Sequence, residues 1–348
     1  MNEIEHKIMS TIHGFTGSYL LYISCELGIF DIIGREAVTI NSIANKCNIQ
    51  IEIAWHLIRP LVSYELVFCN DELYSLTEAG RKLCSTEEQS LYGYVMFCGR
   101  ECMRTWASAY EAIRNNTYPY HFLEEHSIFE QQDQDEGRFQ IFNNMMEYVS
   151  GNISLDYFFA KKHAVDQEIV IVDLGGGTGE IISKFLEFYQ KSKGITVDLP
   201  HVQERAKNKM KERLLDNRWT FQPGSFFDPL TAQGDVFILS RILHDWADDD
   251  SLKILRNIYD VMEDRSVLYV IDKLLPDSML RRDLNAYMND LHMWMMCGGK
   301  ERSKKQFSDL LKKSGFYIVD ETCLNEMDTY IIQIKKECTK NELECGII

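Results

Sequence analysis

From Ile12 to Phe30, apolar residues recur at the spacing that places them on one face of a helix, and the run closes near Gly28. Thr39–Cys47 (TINSIANKC) predicts a short helix capped by Thr39 or Asn41, whose side-chain oxygens accept a free backbone N–H. Ile51–Leu66 carries another helical pattern, bent or broken at Pro60, which has no N–H to give. Two short β-rich runs follow, Leu66–Cys69 and Leu73–Leu76, joined at Asn70-Asp71, and Thr77–Leu83 begins a further helix. Helix, helix and a small hairpin make a winged-helix pattern.

Past the polar run Glu130–Arg138 (EQQDQDEGR) the pattern changes. Glu168–Leu174 (EIVIVDL) is a β-rich run ending at a glycine loop, and Glu180–Lys191 is an amphipathic helix. Gly194–Leu199, Asp235–Leu239 and Ser266–Asp272 read as strands, Asp248–Met262 and Ser303–Ser314 as helices. Such alternation predicts an α/β fold, a mostly parallel sheet covered by helices. The closing extended runs, Phe316–Cys323 and Thr329–Lys335, are close enough to form a hairpin, which adds one antiparallel strand. The expected division is a winged-helix-like domain over 1–129 and a helical linker contributing to a substrate pocket over 130–165. The α/β domain follows over 166–338, with a tail over 339–348.

At 348 residues and 45% hydrophobic, the chain is long enough for two domains with cores. The net charge of −16 repels phosphate backbones, so nucleic acid and anionic membrane are not expected partners. That weakens the rival reading of the winged-helix pattern, a DNA-binding regulator. The would-be recognition helix Ile51–Leu66 sets Glu52 and Glu65 against Arg59 alone, where a reading helix brings Arg, Lys, Asn or Gln. An apolar helical block of this kind is better used to pack against another subunit. No stretch suits a membrane helix, and Met1–Ser10 has no basic region followed by an apolar run, so no signal peptide is expected. The ten cysteines form no CxxC pair and are expected to be reduced, in a cytoplasmic protein. Cys98 and Cys102, four apart on a predicted helix, lack further partners for zinc.

The candidate chemistry begins at Gly175-Gly176-Gly177-Thr178-Gly179, which follows a strand and opens a helix. Glycines let the backbone approach a ligand closely, although a plain tight turn has the same composition. A dinucleotide fingerprint is GxGxxG; here the sixth position is Glu180, and a carboxylate at the helix start repels a pyrophosphate. S-adenosylmethionine has no phosphate and carries cationic groups, so Glu180 does not count against it. Asp198 ends the second strand, where a carboxylate can accept hydrogen bonds from ribose hydroxyls. Gly175, Asp198 and Arg241 all fall at the carboxyl ends of predicted strands, where open α/β sheets bind ligands.

VDLGGGTG (172–179), GITVDLPHV (194–202), ILSRILHDWADD (238–249) and GGKER (298–302) resemble the small-molecule O-methyltransferases of the caffeic-acid and hydroxyindole type, whose layout bacterial antibiotic-pathway members share. The resemblance covers essentially the whole chain. It implies a Rossmann-like methyltransferase domain behind a winged-helix-like dimerisation domain, a homodimer with interlocked N-terminal domains, and no metal. It places Gly175 and Gly177 along the methionine part of the cofactor, Asp198 on the ribose, and Ser225 and Phe226 of GSFFDP beside the adenine with Arg241 nearby. Leu199 and Ser240 are counted with these cofactor-binding residues. Ser225 departs from the pattern, which has Asp there; a hydroxyl binds the base more weakly than a carboxylate.

Methyl transfer to a phenol, whose pKa is about 10, is helped by a base, and histidine suits that task. His244 follows the strand Asp235–Leu239 on the cofactor side; position alone fits a structural histidine as well as a base, and the HDW motif favours the base. The resemblance implies two acidic partners for it: Glu301 in GGKER, and Asp272 at a position where Glu is usual. Asp272 is one methylene shorter, so either its backbone sits closer, or it acts through water, or the site has drifted toward transfer to N, S or carboxylate or toward other chemistry. Asp245 is a candidate to touch substrate. Acceptor-pocket candidates are Phe142, Met145 and Met146 after the polar run, and His292, Trp294, Met295 and Met296 before GGKER; at helical spacing each also reads as plain core. Phe15 and Tyr19 are candidates to reach the pocket of a second copy. Asp248-Asp249-Asp250 is read as helix capping rather than a metal site.

Overall fold

The computed structural model describes residues 2–130, 136–161, 168–278, 283–324 and 329–337. The middle of the polar run (131–135), the end of the expected linker, Cys338, Cys345 and the expected tail 339–348 lie outside the described residues. The chain forms two compact units that interleave in sequence: Met1–Ser108 with Glu130–Val149, and Ala109–Phe129 with Ser150–Ile348.

In the first unit the leading helix spans Glu3–Glu26. It begins nine residues before the expected start at Ile12, because Asn2 and Glu5 form a reciprocal capping box: Glu5 N–H donates to Asn2 Oδ1 at 2.9 Å and Asn2 N–H to Glu5 Oε2 at 2.8 Å. Thr39 caps the helix Ile40–Cys47 through Ser42 N–H. The expected break at Pro60 does not occur, since Ile51–Ser63 is one helix with Pro60 inside it. Proline forfeits a single ladder bond near the end, while fully buried Ile58 and Leu61 on either side keep the helix docked. The hairpin is present: β2 (Val67–Asn70) pairs antiparallel with β3 (Leu73–Leu76), and a two-residue strand, β1 (Val38–Thr39), pairs with the other edge of β3. Asp71 and Glu72 turn it with φ of 45° and 65°, the double positive-φ geometry that suits a twisted hairpin.

The second unit holds the α/β sheet. Its strands are β4 (Val170–Leu174), β5 (Lys193–Asp198), β6 (Trp219–Pro223), β7 (Val236–Ser240), β8 (Val267–Leu275), β9 (Arg302–Ser303), β10 (Phe316–Cys323) and β11 (Thr329–Lys336). The order is β10-β11-β8-β7-β4-β5-β6, with β9 against the end of β8. Strands β4 to β8 are parallel, and β11 runs antiparallel to both β8 and β10, the single reversed strand that the closing hairpin predicts. Strand β6 is not legible in the sequence: WTFQP is short and lies at the sheet edge, where few apolar side chains are needed.

Each central strand is apolar on both faces. Val172, Leu174, Phe237, Leu239, Leu268 and Val270 pack on one side with Ile254, Ile258 and Phe307; Ile171, Ile238, Tyr269 and Ile271 pack on the other with Ile182, Phe185 and Met210. This fixes the register that matters for function: Leu174 lies level with Val197 and Leu239, and Ser240 with Ile271. Gly175, Asp198 and Arg241 therefore come to the carboxyl ends of their strands at one edge, level with Asp272, which lies within the longer β8. Among the described residues no helix is long and apolar enough to cross a membrane, and the eight described cysteines are all free thiols.

Phe185, 1% exposed, packs against Phe158, Phe159 and Tyr269. Phe185→Ala is expected to lower the unfolding free energy by about 3–5 kcal/mol, read from urea denaturation followed by far-UV circular dichroism. A loss below about 1 kcal/mol would show that this face of the sheet is not the tightly packed core described.

Candidate active site

Strand β4 passes into the glycine loop, flanked by β5 on one side and β7 on the other. The sequence moves outward from β4 in one direction and later returns to its other side, so the loop sits at the switch point where open sheets leave a crevice. Gly175 has φ +68°, and a Cβ there would meet Ile242 and Phe226, so only glycine fits. Gly177 N–H and Leu199 N–H both donate to the carboxylate of Asp198, each at 2.7 Å. Asp198 thus ties the loop to the end of β5. Burial raises its carboxyl pKa, against the two N–H donors and His201, which lower it. Glu180 is buried and paired with Lys209 at 2.8 Å and Arg213 at 2.5 Å, so its charge is met from the following helix.

In GSFFDP, the Ser225 hydroxyl oxygen accepts Phe227 N–H at 3.1 Å, and Asn257 holds the loop by donating to the carbonyls of Phe226 and Asp228. The Ser225 O–H remains able to donate. Phe226 stands edge-on to Trp246 at 6.2 Å. At the end of β7, Ser240 Oγ, Arg241 Nε and Trp246 Nε1 are buried without a hydrogen-bond partner among the described residues. Arg241 itself turns the chain in the left-handed region, φ +57°, with its N–H bonded to Ile271 O at 2.8 Å.

That turn delivers His244, 3% exposed, on the short 3-10 turn Leu243–Asp245. His244 Nδ1 lies 2.9 Å from Glu301 Oε1, 3% exposed. Asp245 Oδ1 is 3.6 Å from Nε2, and Asp272 Oδ1 is 4.0 Å from Nδ1. The shorter Asp272 therefore makes no hydrogen bond to the imidazole and acts through its charge; neither of its oxygens has a partner among the described residues. An ionised Glu301 only accepts, so Nδ1 carries the hydrogen, and in the neutral imidazole the lone pair lies on Nε2. Burial disfavours the imidazolium, but Glu301, Asp245 and Asp272 outweigh it and raise the His244 pKa to about 9. Burial raises Asp272 to about 7 and Asp245 to about 6, in both cases against the opposing pull of His244 and Arg241. Glu301 goes the other way, lowered despite its burial by His244, Arg241 and Lys273.

The loop GGKER braces this turn. Lys300 N–H donates to His244 O at 2.9 Å, and a Cβ on Gly299 would collide with the backbone of His244 and Asp245. Arg302, 3% exposed, donates to Leu243 O at 2.6 Å and Trp246 O at 2.9 Å, and also binds Asp248 and Ser251. The expected capping role of the aspartate run is corrected here. Ala247 is the N-cap, with no side-chain cap, and Asp248 instead pairs with Lys300 at 2.7 Å and Arg302 at 2.9 Å, which an aspartate in the first turn can reach and a capping one cannot.

Of the acceptor-pocket candidates, His292 and Met296 lie one turn apart on the helix Leu284–Cys297, Met296 buried and His292 half-buried. Burial lowers the His292 pKa, and the charges of Lys273 and Arg241 lower it further. Phe142, Met145 and Met146 lie on Glu136–Gly151, where Phe142 packs on Phe97 at 5.7 Å within the first unit. Sequence reasoning gave no role to Arg302, Asn289 or Asp290. Arg302 stands inside the quoted GGKER, but nothing in its neighbours announces that its partners are carbonyls fifty-odd positions earlier.

The description of the O-methyltransferase domain matches residues 106–317, and that of the O-methyltransferase dimerisation domain matches residues 9–86. A phenazine O-methyltransferase from Lysobacter antibioticus is 26% identical over 311 residues, 89% of this chain and 90% of that one. The mitomycin biosynthesis 6-O-methyltransferase of Streptomyces lavendulae is 24% identical, covering 95% of each. Among solved structures, human N-acetylserotonin methyltransferase in complex with SAM superposes with a TM-score of 0.82 at 24% identity, covering 97% of this chain and 99% of that one.

Arg302→Met removes the donors from two carbonyls of the His244 turn and leaves Asp248 to Lys300 alone. A loss of about 1–3 kcal/mol in denaturant unfolding is expected. A stability within about 0.5 kcal/mol of the parent would contradict the bracing role.

Proposed function

The chain belongs to the O-methyltransferase family, and from that premise we propose that it moves the methyl group of S-adenosylmethionine to a phenolic hydroxyl of a small aromatic molecule, with His244 as the general base. The observation that carries this reading is the buried His244–Glu301 pair at the same strand edge as the glycine loop. The cradle fits the cofactor. A side chain at Gly175 would fill it, Asp198 offers carboxylate lone pairs for ribose hydroxyls, and Ser225, Phe226, Ser240 and Arg241 supply polar and apolar contacts around it. When bound, S-adenosylmethionine supplies a methyl group already activated on a sulfonium. The protein's share is then to align the acceptor and unmask its oxygen.

His244 Nε2 takes the hydroxyl proton while Glu301 stabilises the imidazolium through Nδ1–H. An imidazole near 9 stands close to a phenol near 10, so the proton transfer is close to balanced, and at neutral pH it is the minor neutral fraction of His244 that accepts the proton. Asp245, beside Nε2, is placed to orient the acceptor, with His292 and Met296 as pocket residues.

We propose a homodimer through the N-terminal domain. On the first helix Ile4, Ile8, Ile12, Phe15, Tyr19 and Ile23 form an exposed stripe at steps of three and four, and Ile4 is 72% exposed. A helix in water does not keep such a stripe uncovered, and this segment falls mostly within the dimerisation match. Free cysteines support a reducing, cytoplasmic setting.

His244→Gln should cut turnover at least about 100-fold in a tritiated-methyl assay over phenols, indoles and heteroaromatic hydroxy acids. S-adenosylmethionine binding by calorimetry should stay nearly unchanged; full turnover in this variant would remove His244 as the base. Because only the neutral imidazole accepts a proton, the parent's turnover should climb with pH along a limb centred at or below about 9, and a flat profile would count against it. Ile8→Asp with Ile12→Asp should convert a dimeric mass to a monomeric one by light scattering, whereas an unchanged dimer would place the interface elsewhere.

A further inference from the structure

Glu301 is held at both ends by one helix. On Leu284–Cys297, Asp290 Oδ1 accepts the backbone N–H of Glu301 at 2.9 Å, and its neighbour Asn289 donates from Nδ2 to Glu301 Oε1 at 2.5 Å. That oxygen is the one facing His244 Nδ1. The orientation of the amide is not arbitrary, because Lys273 Nζ donates to Asn289 Oδ1 at 3.2 Å. A cation on the carbonyl side leaves the NH₂ side for the carboxylate. Lys273 comes from β8, immediately after Asp272, so strand, helix and loop converge on one carboxylate oxygen.

We infer that Asn289 is a positioning residue of the base: it clamps Glu301 against His244 and takes up part of the negative charge that the imidazole would otherwise feel alone. The inference rests on the reading of His244 as the base. It gives a chemical meaning to the 4.0 Å stand-off of Asp272. With only one carboxylate in direct contact with Nδ1, the orientation of that carboxylate sets the tautomer, and Asn289 supplies the second hydrogen bond that fixes it.

The sign of the effect follows. Oε1 now shares its lone pairs between two donors. Removing the amide donor returns the full carboxylate charge to Nδ1–H, which favours the imidazolium. The other groups facing the pair stay in place: Asp245 on the same turn, Asp272 and Lys273 on β8, and Arg241 at the end of β7. The helix keeps Asp290, His292 and Cys297, and Lys300 remains on the loop.

The test is the titration of His244 by ¹³C NMR in full-length protein labelled at histidine, assigned against His244→Gln, in the parent, Asn289→Leu and Asn289→Ala. Alanine suits the helix and keeps the test open should the leucine variant fail to fold. Both variants should titrate about one pH unit higher than the parent, with kcat falling at neutral pH and recovering as pH rises, and KM for S-adenosylmethionine little changed. A titration that coincides with the parent's, or moves down, overturns the inference. The titration needs no turnover, so a shift in a chain that methylates nothing supports the positioning role while removing the methyl-transfer reading.

Discussion

A histidine and a glutamate, both 3% exposed and 2.9 Å apart, are kept as a buried pair only where the surrounding backbone and side chains are themselves held in place, and here that support leaves Glu301 Oε2 without a partner among the described residues. Much of the second unit serves that constraint. The register of β7 against β8 sets where His244 leaves the sheet. The glycine at 299 lets a loop lie directly on the His244 backbone, and Lys300 N–H satisfies its carbonyl. Arg302, itself buried, takes the neighbouring carbonyls, and its own charge is met by Asp248. The price of burying the pair is therefore spread over β7, β8, the Leu284–Cys297 helix and the GGKER loop.

The same edge of the sheet offers two different environments. On the β4–β5 side, Asp198 is tied down by two backbone N–H groups and is half-buried. On the β7–β8 side, three carboxylates crowd one imidazole in a buried site and raise its proton affinity. The distance between these regions is set by the order β5-β4-β7-β8, in which the glycine loop occupies the centre.

The fold was legible where burial on both faces demands it. EIVIVDL, DVFIL and SVLYVID are continuous apolar runs because the parallel strands they form are covered by helices on each side. WTFQP at the edge, under weaker demand, passed unnoticed. At Pro60 the helix continues because one lost ladder bond weighs less than the packing of Ile58 and Leu61. The residues of the proposed site stand in short motifs, the glycine loop, Asp198, HDW and GGKER, which the fold brings to one edge of the sheet. The tasks of Asn289 and Arg302 were not legible, because they are defined by partners distant in sequence, and an asparagine on a helix is ordinarily a surface residue. The reach of Asp272 was likewise a question only three-dimensional distance answers.

The most direct measurement of the central claim is the pH dependence of kcat in Glu301→Gln beside the parent chain. Glutamine preserves shape and removes the charge that raises His244 and fixes its tautomer. Turnover should fall at least about 100-fold, with its rising limb moving to lower pH, toward the ordinary histidine value of about 6.5. A variant that keeps the parent's turnover and the parent's limb would show that the His244–Glu301 pair is not the device that drives the reaction.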